Sequence, residues 1–237
     1  MPQLIVTPAL DSYMDYKSPD TNYGQSLTIS QGVLIAGAEK SAVRRAIANF
    51  DVSAIPVEAV ITQATMQRNL TLADPSIHSV RIARCTRPTQ WTENGVTWNK
   101  YDGVNAWTSS GGEFDDVTPA AVSFVEAVAT GPHEVSGLGG FVRDALDLRN
   151  GVVSLLLRNE NVTPAQSERS VWLAASFWKL VIDYDVGGEP ARRNSGGDAS
   201  GRRPRAARVP SEGRPPARPR RAREGRQSQA STRRGKE

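Results

Sequence analysis

The 237-residue chain is 38% apolar, enough for one substantial core, and its formal charge of +4 is unevenly spread. Residues 1–186 carry 14 basic and 20 acidic side chains, whereas residues 187–237 carry 15 and 5. All fifteen aromatic residues fall in the first part. No apolar run approaches the roughly 20 residues that span a bilayer as a helix, so no membrane span is expected. Cys85 stands alone, which excludes an internal disulfide or a Cys-rich zinc site, and two histidines, His78 and His133, are too few for a His-built metal centre.

In chain order, the start MPQLIVTPALDSY lacks a basic segment ahead of its apolar one, so no signal peptide is expected. An acidic, amide-rich loop follows, with Asp11, Asp15, Asp20 and Asn22 near Gly24. Such oxygens can ligate Ca²⁺, and Asp11, Asp20 and Asn22 are the candidates. The spacing matches no EF-hand, and Asx-rich turns form without metal. Short segments rich in Val, Ile, Leu or Thr then predict strands at 27–29, 59–67, 79–85, 152–157, 170–173 and 179–184. Turn-forming clusters, among them Thr130-Gly131-Pro132, separate them. Leu138, Val142, Ala145 and Leu146 recur at helical spacing, with Ser136 placed as N-cap and Asn150-Gly151 as the stop. Six short strands with one short helix predict an all-β fold, a jelly-roll-like antiparallel β-sandwich over residues 1–186. A parallel α/β sheet needs far more helix.

The chemistry-bearing stretch is 89–107, where Trp91, Trp98, Tyr101 and Trp107 sit among Asn, Asp, Thr and Gly. Flat rings beside amides and carboxylates suit sugars, whose C–H faces stack on aromatics while neighbours pair the hydroxyls. Trp91 and Trp98 also fit a core-filling role. Tyr101 and Trp107, beside Gly and Ser, are expected to be more open, so the ligand-binding candidates are Tyr101, Trp107, Asn99 and Asp102. Carboxylates for hydrolysis are present in Asp102, Glu113, Asp115 and Asp116, but adjacent strand residues point to opposite faces, which makes Asp115 and Asp116 a poor pair. No G-x-S-x-G or H-E-x-x-H pattern occurs, and the Gly-rich run 136–140 lacks a P-loop lysine. A non-enzymatic chain is expected, with Cys85 as a small packed hydrophobe.

Residues 187–237 hold Val209 as their one sizeable aliphatic side chain amid Arg, Pro and Gly, a composition that predicts disorder. Three readings remain for this tail: ordinary solvated disorder, salt-sensitive attraction to nucleic acid or another polyanion, or an out-of-frame extension that the fold never used.

With these residues in view, the body resembles a DNRLRE-type domain, a β-sandwich module of bacterial and archaeal surface and secreted proteins grouped with the carbohydrate-binding modules. Asp11-Ser-Tyr13, the run Ser18 to Gly24, and Leu27 to Ile29 are similar to that family's opening strands and loop. Arg44 to Pro56, Ile61 to Thr65 and Val171 to Tyr184 resemble later strands. Trp91-Thr-Glu-Asn-Gly-Val-Thr-Trp98-Asn99 resembles its W-x-E-x-x-V-T-W-N signature. The resemblance implies a jelly-roll-like sandwich with a non-catalytic role. It points to a surface or adhesion module that binds polysaccharide or a neighbouring structural protein. The missing leader favours a bacteriophage virion component, with a module of an exported polysaccharide-processing or cell-surface protein as the alternative. The expected location is accordingly a virion or the cell exterior.

Overall fold

The computed structural model describes residues 1–36, 39–73, 77–87, 89–117, 121–126, 129–160, 168–173 and 178–187. The disorder expected for the tail therefore concerns residues that, beyond Gly187, lie outside the described ones. Among the described residues the strands are β1 (Gln3–Val6), β2 (Leu10–Asp15), β3 (Thr28–Ala36), β4 (Glu39–Asp51), β5 (Val60–Ala73), β6 (His78–Cys85), β7 (Phe114–Asp115), β8 (Ala121–Glu126) and β9 (Gly131–Val135). The helix α1 (Gly139–Leu148) precedes β10 (Val152–Asn159), β11 (Glu168–Leu173) and β12 (Trp178–Asp185).

Hydrogen bonding runs β1-β12-β5-β11-β3-β4-β10-β6-β7, with β2 on β4, β8 on β6 and β9 on β5. The described pairings are antiparallel. The path closes over itself into a sandwich, because both of its halves feed one core. Ala46, Ala48 and Phe50 of β4, Val153, Leu155 and Leu157 of β10, and Val80 and Ile82 of β6 supply one side. Ala64 and Met66 of β5, with Trp178, Leu180 and Ile182 of β12, supply the other. Their period of two is the pleat repeat, and each fully buried aliphatic side chain contributes roughly 1.5–3 kcal/mol.

The residues between those core positions are also covered. Met14, Ile47, Cys85 and Leu156 point to the outer face, where they form a second cluster with Trp91, Val96, Trp98 and Trp107. Burial on both faces is why Val152–Leu157 is apolar at every position but Ser154 rather than alternating.

The helix closes the first core with Leu138, Phe141, Val142 and Ala145. Its N-cap is Leu138, not the expected Ser136, and no side chain caps it. The Ser136 hydroxyl instead meets Thr65 Oγ1 at 3.3 Å, while Leu138 N–H donates to the Ala64 carbonyl at 3.1 Å. The helix does stop at Asn150 (φ 52°) and Gly151 (φ 76°). The turn expected at Gly131-Pro132 is in fact the start of β9, which pairs with β5; a proline is tolerated at the first positions of a strand.

Candidate functional site

The loop between β6 and β7 is a roof laid on the outer face of the sheet. Trp91 is 2% exposed and donates from Nε1 to Asn49 Oδ1 of β4 at 3.1 Å. The Trp107 indole donates to the Thr97 carbonyl at 3.0 Å. Trp98 lies under the Arg45 guanidinium, 4.9 Å from the ring centroid, and Arg45 Nη1 donates to the Gly111 carbonyl at 2.8 Å. Burial and the nearby Arg158 lower the Arg45 pKa to about 10. A cation here is thus held by π-faces and a carbonyl while its desolvation weighs against it.

The N-terminal loop clamps this roof. Asn22 Nδ2 donates to the Glu93 and Val96 carbonyls, both at 2.7 Å, and Asn22 Oδ1 accepts from Gly24 N–H at 3.1 Å. Gly24 is required by the close approach: a Cβ there would stand 2.1 Å from the Glu93 carbonyl oxygen. Asp20 accepts from Asn99 Nδ2 at 3.0 Å, and Asp15 pairs with Arg44 at 2.9 Å. Asp11 is 6% exposed, beside Glu93. The residues considered for Ca²⁺ are therefore spread along the clamp in protein contacts. Among the described residues no three His, Cys, Asp or Glu side chains are grouped to hold a metal.

The candidate sugar contacts come together only in part. Trp107, expected to be open, is 5% exposed, because it fills the second cluster beneath the loop. Its ring supports Tyr101 edge-on, with centroids 5.5 Å apart. Tyr101 is half-buried, and the Arg87 guanidinium lies 4.8 Å from its ring centroid. Asn99 is tied to Asp20 as above. Asp102 accepts from the Val104 and Asn105 backbones at 2.9 and 2.6 Å and from Asn105 Nδ2 at 2.7 Å, which makes it a turn former. These hydrogen bonds, led by the Asn105 side chain, keep its carboxyl below the ordinary range.

The remaining acids are paired with arginines. Glu113 meets Arg87 at 2.9 Å and also accepts from Thr108 N–H. Partial burial pushes its pKa up, but the Thr108 bonds and Arg87 outweigh that, and the net shift is downward. Asp115 pairs with Arg84, while Asp116 bridges Arg81 and Arg158. Cys85 is fully buried, and burial pushes its thiol pKa up, away from the reactive thiolate.

Among the described residues, two of the clefts lie beside the roof. One, of about 340 Å³, is lined by Thr86, Thr108, Ser109, Gly112, Glu113 and Phe114. The other, of about 310 Å³, lies where the start of β2, the end of β4 and the start of β10 meet the loop. Leu10, Val152 and Trp91 wall it, and Asp51, Ser53, Thr89 and Asn150 form an exposed polar rim. Asp51 accepts from Ser53 N–H at 2.9 Å, and the Ser53 hydroxyl and N–H hold its carboxyl below the ordinary range. This rim was not legible in the sequence, where Asn150 reads as a helix stop and Asp51 falls inside the Arg44 to Pro56 stretch that resembles a family strand.

Residues 2–110 match the family model of carbohydrate-binding module family 96. The match takes in β1 to β6 and the indole loop through Trp107 and leaves the later strands outside it. No curated protein sequence matches the chain. The matched part is a carbohydrate-binding-module-like domain, built here on an antiparallel β-sandwich.

Proposed function

We propose that the chain acts as a non-catalytic carbohydrate-binding module that recognises a polysaccharide on the face carrying the indole loop. One observation carries this reading. The stretch richest in tryptophan lies within the carbohydrate-binding-module match, and the fold holds it rigid: each of its three indoles is buried and two donate to fixed acceptors. A surface prepared in advance loses less conformational freedom on binding. Tyr101, with Asn99 and Asp102 at its flanks, forms one contact surface on this loop, and Trp107 serves as its support rather than as a platform. Asp102, Glu113, Asp115 and Asp116 are engaged by arginines or turn amides, an arrangement suited to holding shape rather than to moving protons, while Glu93 accepts from the Asp11 N–H of the clamp.

A glycan array probed with the full chain tests the reading, followed by chromatography of the bound glycan for cleavage products. The expected result is retention of at least one glycan, recovered intact. An array with no signal contradicts binding, and shortened products contradict the non-catalytic role.

A further inference from the structure

From the cleft beneath Asp51 and Asn150 we infer a seat for a single neutral pyranose ring, a site distinct from the Tyr101 surface. The inference rests on the carbohydrate reading above and gives it a location and a ligand class. Three features set that class. The volume, about 310 Å³, stands at the lower end of the roughly 300–1,000 Å³ of small-ligand sites, which fits one ring rather than a run of sugar units. The lining is two-sided: Leu10 and Val152, both half-buried, offer apolar contact for C–H groups, and Asp51, Ser53, Thr89 and Asn150 offer hydroxyl partners. The charge is one-signed. Asp51 is the ionisable side chain of the lining and no Lys or Arg joins it among the described residues, so a uronate or sulfated sugar meets repulsion while a neutral ring donates hydroxyls to the carboxylate.

The site is also fixed before the ligand arrives. Trp91 is tied to Asn49, Ser53 N–H to Asp51, and Ala9 N–H to the Asn49 carbonyl at 2.8 Å. Asn150 is held in the left-handed region by the turn that ends α1, which sets its amide at the rim. A ring-sized seat selects a chain end or a side branch, where one residue stands free of its neighbours.

The test uses the full chain with the methyl β-glycosides of glucose, galactose, mannose and xylose, and methyl glucuronide as the charged comparison, read by saturation-transfer NMR titration. Asn150→Gly removes the rim amide yet suits the positive φ, and Asp51→Asn keeps the acceptor for Ser53 while removing the charge. At least one neutral glycoside is expected to bind and the glucuronide to bind more weakly. Each variant is expected to weaken the neutral ligand about tenfold, the scale of one lost hydrogen bond to a charged or fixed group. Glycoside binding unchanged in both variants overturns this site but leaves the carbohydrate reading standing. So does a chain retained on the glycan array that binds none of the glycosides. Glucuronide binding equal to the neutral sugars overturns the ligand class. Silence in both the titration and the array overturns the broader reading with it.

Discussion

Trp91 Nε1 donates to Asn49 Oδ1 at 3.1 Å, joining the indole loop to a β4 side chain that is itself 5% exposed. Removing the acceptor strands a buried N–H, which costs about 1–3 kcal/mol. Asn49→Ala is therefore expected to lower the urea midpoint, and to lower the thermal midpoint by about 2–4 °C per kcal/mol for a domain of this size. An unchanged midpoint means that the loop is not anchored through this bond.

Arg45 makes the opposite prediction. Its pKa is lowered to about 10, chiefly by burial. The charged form is thus less favoured in the fold than in the unfolded chain, so the charge opposes stability below about pH 10 and the opposition fades as pH rises through that value. At pH 7, Arg45→Met keeps the volume between Trp98 and Phe114 and is expected to match or exceed the parent in urea. Arg45→Ala leaves a hole there and is expected to fall below it. Loss of stability in the Met variant assigns the larger weight to the cation–π contacts and the Gly111 carbonyl.

Glu93 supplies a pH dependence. Burial, and secondarily the charge of Asp11, raise its pKa, although the Asp11 N–H pulls it back in part. The unfolded chain releases this proton first, so Glu93 detracts from stability above its folded pKa, and the penalty vanishes as pH falls below the ordinary carboxylate value. Glu93→Gln is expected to raise the urea midpoint at pH 7 and to leave it unchanged near pH 3.5. Equal effects at both pH values would rule out the charge as the cause.

Much of the fold was legible in the sequence because its main signal is the pleat. Leu180 and Ile182 alternate with Val181 and Asp183 and face the core as the pattern implies. The indole loop was visible through composition, and Trp91 and Trp98 fill space as one of their two readings held. Trp107 misled, because polar neighbours such as Ser109 and Ser110 indicate an exposed backbone and say nothing of where an indole turns. The Asp51–Asn150 cleft was hidden for a different reason. Its residues lie about a hundred positions apart and meet only through the register that sets Val152 opposite Asp51.

Arg68 and Glu126 make two hydrogen bonds at 3.0 and 3.1 Å, with side chains 0% and 1% exposed. They join the β5 and β8 regions of the core. Breaking one member of a buried pair typically costs about 3–5 kcal/mol, because the other charge stays buried. Glu126→Leu alone is expected to be severely destabilising in urea, and the Arg68→Met/Glu126→Leu double variant is expected to recover most of the loss. A double variant as unstable as the single one would show that the polar network around the pair, rather than the pair, holds this end.

The most direct measurement of the central claim is affinity electrophoresis of the full-length protein through gels cast with neutral polysaccharides, at low and at raised salt. Recognition by the folded body predicts slowed migration in at least one gel, with the slowing preserved at raised salt, since neutral sugars release no counterions. Migration in every such gel identical to that in polysaccharide-free gels contradicts it.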